Sequence, residues 1–267
     1  MNFIKYHAAG NDYLVYNSDL PFGYSQQQIS TICDRRRGLG SDGILVPIIG
    51  DGDYQVKIFN TDGSEAEKSG NGLRIFCRYL WDRGIISEYP FNVETLGGLV
   101  RGQVLDGGCR VSVAMGRARF FDISSPVVNV NDIDYFLNPV SMGNPHCVVF
   151  VSDPTKALAM EVGPVIEHLP AFSNRTNVQF ARVVDRSTIK VQIWERGVGY
   201  TLSSGTSSCA VAAVSYKLGL VDSCVAVHMP GGVISIELDE NLEVLMKGPV
   251  CKVGTYTLDP ECLIIEA

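Results

Sequence analysis

Two loops hold the residues best suited to chemistry. The first, Asn60-Thr-Asp-Gly-Ser-Glu-Ala-Glu-Lys-Ser69-Gly70-Asn71-Gly72, runs from a strand-like segment into a helix-like one, and Ser204-Gly205-Thr206-Ser207-Ser208 does the same in the second half of the chain. The first amides of a helix have no intrahelical partner and the helix dipole adds partial positive charge, so such a start attracts anions. Either loop alone is an ordinary Gly/Ser-rich cap; the pair points to a carboxylate ligand. Around them the sequence sets Asn11, Asn60, Asn144 and Asn177, and the adjacent Glu195-Arg196 at the end of a strand. Asparagine amides both donate and accept, and the Glu/Arg pair offers one charge of each sign, which together describe a cage for the α-amino and α-carboxylate groups of an amino acid. His146, two residues after Asn144, is suited to relay a proton or activate a nucleophile, its plainer role being a satisfied structural imidazole.

These residues recur at a nearly constant interval. Gly10-Asn11 matches Gly143-Asn144, Asp42 matches Asn177, and QVKIFN ending at Asn60 matches VQIWE ending at Glu195. Ser69-Gly70 matches Ser204-Gly205, Gly84 matches Gly219, and Gly97-Gly98 matches Gly231-Gly232, all at offsets of 133 to 135. Six matches in one order make an internal duplication. In each copy an alternating strand (Tyr54 to Phe59; Ile189 to Trp194) leads through the glycine-bearing loop into a helix. The first helix, Leu73 to Arg83, carries Leu73, Phe76, Cys77 and Leu80 at helical spacing and stops at Gly84; the second, Ser207 to Leu218, is small and apolar almost all round, reads as fully buried, and stops at Gly219. Short alternating strands with Gly-Gly turns follow both helices. The expected fold class is therefore α+β: two pseudo-symmetric domains, each a curled sheet or barrel around a central helix. Their boundary lies near 115–135, where Met115-Gly-Arg-Ala-Arg leads into the Ser/Pro/Asn/Asp-rich stretch SSPVVNVNDID. The division is drawn as 1–118 and 119–267, the final strand being free to return to the first domain. A duplication of this kind sets its equivalent loops at a shared cleft.

Bulk properties narrow the partners. The 267 residues are 46% hydrophobic and carry a net charge of −7, enough for substantial cores and the wrong sign for a nucleic acid or an anionic membrane surface. The basic run Arg35-Arg36-Arg37, preceded by Asp34, reads as a solvated helix end. The N-terminal segment lacks the pattern of a signal peptide, and there is no apolar run of about 18 residues, so a cytoplasmic protein is expected. The eight cysteines form no CxxC pair or Cys/His cluster, and read as reduced, mostly buried small hydrophobes with no metal site.

Seven blocks complete the picture: GNDYLVY near the start, GLGSDGIL at 38–45, FNTDGSEAEKSGNGLR at 59–74, MGNPHCVVF at 142–150, RTNVQF at 175–180, ERGVGYTLSSGTSSCA at 195–210 and MPGG at 229–232. Block by block, over essentially the whole chain, they resemble diaminopimelate epimerase. The resemblance implies a duplicated α+β barrel, a cytoplasmic homodimer, a small amino-acid substrate, and an isomerase of lysine and cell-wall biosynthesis that uses neither pyridoxal phosphate nor any other cofactor or metal. It implies that LL- and meso-diaminopimelate are interconverted by two cysteines working on opposite faces of the α-carbon. Ser69 and Ser204 stand at those two positions. Gly70, Asn71, Gly205 and Thr206 then supply carboxylate-binding amides, while Asn11, Asn60, Asn144, Asn177, Glu195 and Arg196 hold the two ends of the substrate. His146 and Glu195 fall where the family keeps groups that tune the thiols.

The serines change the chemistry. A thiol titrates near 8.5 and lower at a helix start, so a thiolate base is at hand near neutral pH. A serine hydroxyl acts as a base only when a neighbour takes its proton, and here His146 or Glu195 would have to do so. Cys77 and Cys209 lie too far along their helices to substitute. Tyr200, in GVGYT, stands where the family leads one to expect glutamate. Three readings remain open: an epimerase with both thiols exchanged for serine, favoured because both changes are the same conservative one; an inactive relative that binds an amino acid; and a different proton-transfer isomerase on the same scaffold.

Overall fold

The computed structural model describes residues 1–50 and 52–264. It divides into two compact units, Met1–Val113 together with the chain from Gly248 onward, and Ala114–Lys247. The first unit contains β1 (Asn2–Ala8), β2 (Asn11–Tyr16), α1 (Gln26–Cys33), β3 (Gly43–Ile49), β4 (Tyr54–Asn60), the short β5 (Glu65–Ala66), α2 (Gly70–Asp82), β6 (Phe91–Thr95), β7 (Gly98–Leu105) and the start of β8 (Arg110–Arg117). β1 pairs antiparallel with β2, β2 parallel with β3, and β3 antiparallel with β4. β4 takes β5 antiparallel and β6 parallel, and β6, β7 and β8 follow as an antiparallel run. α2 packs against the neighbouring strands β1, β2 and β3 and also against β7, which lies far from them in the series, so the sheet curls around the helix.

The second unit begins within β8 and continues through β9 (Arg119–Phe120), the hairpin β10 (Val127–Val130) and β11 (Ile133–Phe136), β12 (Asn138–Ser141), β13 (Pro145–Phe150), α3 (Lys156–Glu167), β14 (Asn177–Asp185), β15 (Thr188–Glu195), β16 (Gly199–Thr201), α4 (Gly205–Lys217), β17 (Cys224–Met229), β18 (Gly232–Leu238) and most of β19 (Glu243–Pro249). Its pairing repeats the first unit strand for strand. β12 is antiparallel to β13, β13 parallel to β14, β14 antiparallel to β15, and β15 takes β16 antiparallel and β17 parallel. β17, β18 and β19 close the antiparallel run. Even the flanking strands correspond: β20 (Cys251–Thr257) lies antiparallel on β1 as β9 does on β12. α4 packs against β12, β13, β14, β15, β17 and β18. The sequence duplication is thus a duplication of topology, and the α+β fold is as expected.

Burial explains the central helices. Leu73, Phe76 and Leu80 are fully buried and Cys77 is 1% exposed; enclosing a large apolar side chain stabilises by about 1.5–3 kcal/mol. α4 buries Cys209, Ala210, Val211, Ala212 and Ala213 in succession, small side chains that let strands approach on several sides. Both helices start earlier than apolar periodicity shows, at Gly70 and Gly205, because the serine before each glycine caps the first turn. Both end before a glycine in the left-handed region, Gly84 at φ +68 and Gly219 at φ +71.

Two expectations need correction. Only Cys33, Cys77, Cys147 and Cys209 are buried, whereas Cys109, Cys224 and Cys251 are exposed because they face outward at strand and turn edges; none of the eight is disulfide-bonded. Arg35 is more than a solvated helix end: its guanidinium reaches Asp12 at 2.5 Å and Asp42 at 2.8 Å. No helix among the described residues is long and apolar enough to cross a membrane.

Gly43 sets how closely β2 and β3 approach. A Cβ there would lie 2.4 Å from the Phe59 carbonyl oxygen and 2.7 Å from the Tyr13 ring. Gly43→Ala is expected to lower stability by about 1–3 kcal/mol, the usual cost of overpacking, read as a fall in the denaturant midpoint; an unchanged midpoint contradicts this packing.

Candidate active site

In the first unit the site grows from the start of α2. Ser69 is extended (φ −134, ψ 119) and its Oγ accepts a hydrogen bond from the Gly72 amide at 3.0 Å. Its carbonyl accepts from Leu73 N at 2.8 Å. The amides of Gly70 and Asn71 are the ones the first turn leaves without an intrahelical acceptor. From β2, the Tyr13 hydroxyl reaches Ser69 Oγ at 3.2 Å.

A chain of side chains fixes this helix start to the strands. Asn71 Nδ2 donates to Asn11 Oδ1 at 3.0 Å, and Asn11 Nδ2 donates to Asp42 Oδ2 at 2.8 Å. Asp42 also accepts from Asp12 N at 3.0 Å and from Arg35 at 2.8 Å. At the other end, fully buried Arg74 donates to Asn71 Oδ1 and to the Pro249 carbonyl. Gly248 makes room for it, since a Cβ there would sit 1.7 Å from Arg74 Nη1. Burial opposes ionisation of Asp12, but hydrogen bonds from Arg35 and Lys5 outweigh it and hold the carboxyl down at about 2. Asn60 stands outside this chain, exposed at the end of β4 with its Nδ2 on Ser64 Oγ at 3.0 Å.

The second unit repeats the cap. Ser204 is extended (φ −146, ψ 127), its Oγ accepts from Ser207 N at 3.4 Å, and its carbonyl accepts from Ser208 N at 3.1 Å. Gly205 and Thr206 hold the positions of the two open amides, and Thr206 Oγ1 lies 3.5 Å from Ser204 Oγ. His146, fully buried on β13, has Nε2 3.0 Å from Asn144 Oδ1 and Nδ1 3.0 Å from Gln179 Nε2. The Gln179 amide also donates to Ser207 Oγ at 3.0 Å. An amide donor at Nδ1 leaves the imidazole proton on Nε2, directed at Asn144. Burial pushes His146 down to about 3 despite the Gln179 hydrogen bond, so the ring is neutral at ordinary pH.

Asn177 joins three segments: its Nδ2 donates to the Pro145 carbonyl at 2.8 Å and its Oδ1 accepts from Arg196 N at 3.0 Å. Arg196 reaches back to the Asn174 carbonyl at 3.1 Å, and Glu195 accepts from Thr201 Oγ1 at 3.2 Å. The turn after them is tied to a buried carboxylate that sequence reasoning missed. Glu167, on α3, accepts from Gly197 N at 2.9 Å, Trp194 Nε1 at 2.7 Å and Arg175 at 3.2 Å. Tyr200 makes its contacts elsewhere. Its hydroxyl donates to Gln192 at 2.8 Å, its ring packs against the α3 core, and Lys156 Nζ sits 5.0 Å from the ring centre.

Known proteins resemble the chain in sequence and in fold. The diaminopimelate epimerase family profile matches residues 3–121 and 139–253. The chain is 48% identical to diaminopimelate epimerase 2 of Nostoc sp. (strain PCC 7120) over 100% of this chain and 98% of that one. It is 38% identical to diaminopimelate epimerase of Moorella thermoacetica over 97% and 100% of the two chains. Among solved structures, a probable proline racemase from Agrobacterium radiobacter K84 superposes with a TM-score of 0.75 over 98% of this chain and 95% of that one; at 16% identity this is a likeness of fold.

Two outcomes follow from the local geometry. Replacing either capping serine by alanine removes an N-cap acceptor, so Ser69→Ala and Ser204→Ala should each lower stability by about 1 kcal/mol in chemical denaturation; no loss at either contradicts the cap. His146 binds a proton far more readily when unfolded, so its contribution is complete above pH 6.5 and is lost as pH falls toward 3. Asp12 acts only below its ordinary value of 3.8. The slope of stability against pH between roughly 6.5 and 4.5 should therefore flatten in His146→Gln; an unaltered slope contradicts the buried neutral imidazole.

Proposed function

The chain belongs to the diaminopimelate epimerase family, and on that footing we propose that it acts on the α-carbon of diaminopimelate, interconverting the LL and meso forms at a rate orders of magnitude below that of a dithiol enzyme. The observation that carries this reading is the pair of repeat-related helix starts, each an extended serine followed by two open amides. In this reading Gly70, Asn71, Gly205 and Thr206 bind carboxylate through their N–H groups. Asn11, Asn60, Asn144, Asn177, Glu195 and Arg196 hold the polar ends of the substrate, and Ser69 and Ser204 face the proton that moves. His146 acts through Asn144, whose carbonyl oxygen it fixes, leaving the amide nitrogen to donate. The protein works as a cytoplasmic homodimer and draws on no pyridoxal phosphate.

The low rate follows from acidity. Each serine Oγ is an acceptor in its cap hydrogen bond, which suits a hydroxyl and does nothing to ionise it. Both ring nitrogens of His146 are already committed to Asn144 and Gln179, so the imidazole is no base for Ser204. That same observation favours a second reading, an inactive relative that binds the amino acid without turning it over.

Label uptake separates the two readings. Incubation with diaminopimelate in deuterated water should place deuterium slowly at the α-carbon, whereas binding without uptake supports the inactive relative. In the double variant Ser69→Cys/Ser204→Cys, epimerisation should rise by at least about a thousandfold, within the range by which a well-matched base accelerates proton transfer. A dithiol variant that binds diaminopimelate and still fails to epimerise it overturns the proposed function.

A further inference from the structure

The two serines differ in what stands beside them. Ser69 Oγ has the Gly72 amide as a donor at 3.0 Å and the Tyr13 hydroxyl at 3.2 Å. The amide must donate, so the remaining contact is a hydroxyl-to-hydroxyl hydrogen bond along which a proton can pass either way. Tyr13 is 6% exposed on β2, and its ring lies against Gly43, where any Cβ would come within 2.7 Å of it. The phenol is thereby held in one place. Ser204, by contrast, has Thr206 Oγ1 at 3.5 Å. The residue that corresponds to Tyr13 by the interval of 133 is His146, and it is directed to Asn144 and Gln179 instead.

We propose that Tyr13 is the proton partner of Ser69, a positioning residue acting through that hydroxyl so that the Ser69 half of the chain retains proton transfer without a thiol. The inference rests on the function proposed above. In the forward step Tyr13, its hydroxyl proton first given up to solvent, takes the Ser69 hydroxyl proton as a phenolate while Ser69 Oγ takes the substrate α-proton. Tyr13 ends as a phenol, Ser69 remains a hydroxyl, and the electron pair of the broken C–H bond stays on the substrate, delocalised toward its carboxylate. The Gly72 N–H and the dipole of α2 favour negative charge on Ser69 Oγ while the proton is in flight. Reversal returns the proton, or a deuteron gained from solvent, to the same carbon. A phenol is a far stronger acid than an alkanol, ordinarily ionising near 10, and so supplies the base that a lone serine lacks.

The test compares Tyr13→Phe in two backgrounds, the serine chain and the Ser69→Cys/Ser204→Cys variant, following deuterium entry into diaminopimelate at saturating concentration together with its Kd. Phenylalanine keeps the ring on Gly43, and an unchanged thermal midpoint confirms that the variant folds. The expected result is at least a thirtyfold loss of exchange in the serine chain, with Kd within twofold, and a loss at least tenfold smaller in the dithiol background. Equal losses in both backgrounds, or a loss explained by Kd, make Tyr13 a packing residue and overturn the inference. Epimerisation by the dithiol variant with no exchange at all by the serine chain also overturns it while leaving the family function standing. A dithiol variant that does not epimerise brings down both together.

Discussion

Each half of the molecule depends on one local arrangement, an extended serine whose Oγ accepts the amide three residues ahead and closes the first turn of a buried helix. That bond fixes where the helix begins. It also decides which amides stay open, because the third amide is satisfied by the cap and the next one along by the serine carbonyl, leaving the first two without an intrahelical acceptor. The surrounding sheet exists in duplicate to hold this arrangement: strand for strand, the pairing around α2 is repeated around α4. The helix that each cap starts is buried among strands, so the cap's orientation is set by packing as well as by the hydrogen bond.

Much of this was legible in the sequence. The interval linking Ser69 to Ser204 and Gly84 to Gly219 carried the duplication, since helix caps and stops need particular residue types whatever surrounds them. Apolar periodicity places the helix starts too late because Gly70, Gly72 and Gly205 have the composition of a loop, and only the cap made by Ser69 or Ser204 brings them into the first turn. The support behind the site was less visible. Arg74 and Glu167 are charged side chains buried by tertiary contacts, Arg74 in space left by Gly248 and Glu167 beneath the turn at Gly197. Neither has a local pattern that announces burial. Arg35 looked like one of three solvated arginines, and only the folding of β2 and the loop before β3 brings Asp12 and Asp42 within its reach.

The two halves share a topology and differ in their electrostatics. The first unit relies on charge: Arg35, Asp12, Asp42 and Arg74 brace Asn11 and Asn71 from both ends. The second uses neutral links around its cap, with Gln179, His146 and Asn144 in a row and Asn177 joining backbone groups, and keeps a charged pair, Glu167 with Arg175, beneath the turn at Gly197. Duplication supplied two copies of one frame, and the side chains bracing each frame have diverged, which is why a tyrosine stands beside one serine while its counterpart histidine is turned elsewhere.

The proposed function requires that the open amides at each helix start bind carboxylate. Backbone amide resonances of the nitrogen-15-labelled protein, followed during titration with diaminopimelate, test it most directly. The account predicts that Gly70, Asn71, Gly205 and Thr206 shift together and saturate with one Kd. Saturable binding that moves other amides and leaves these four in place would contradict it.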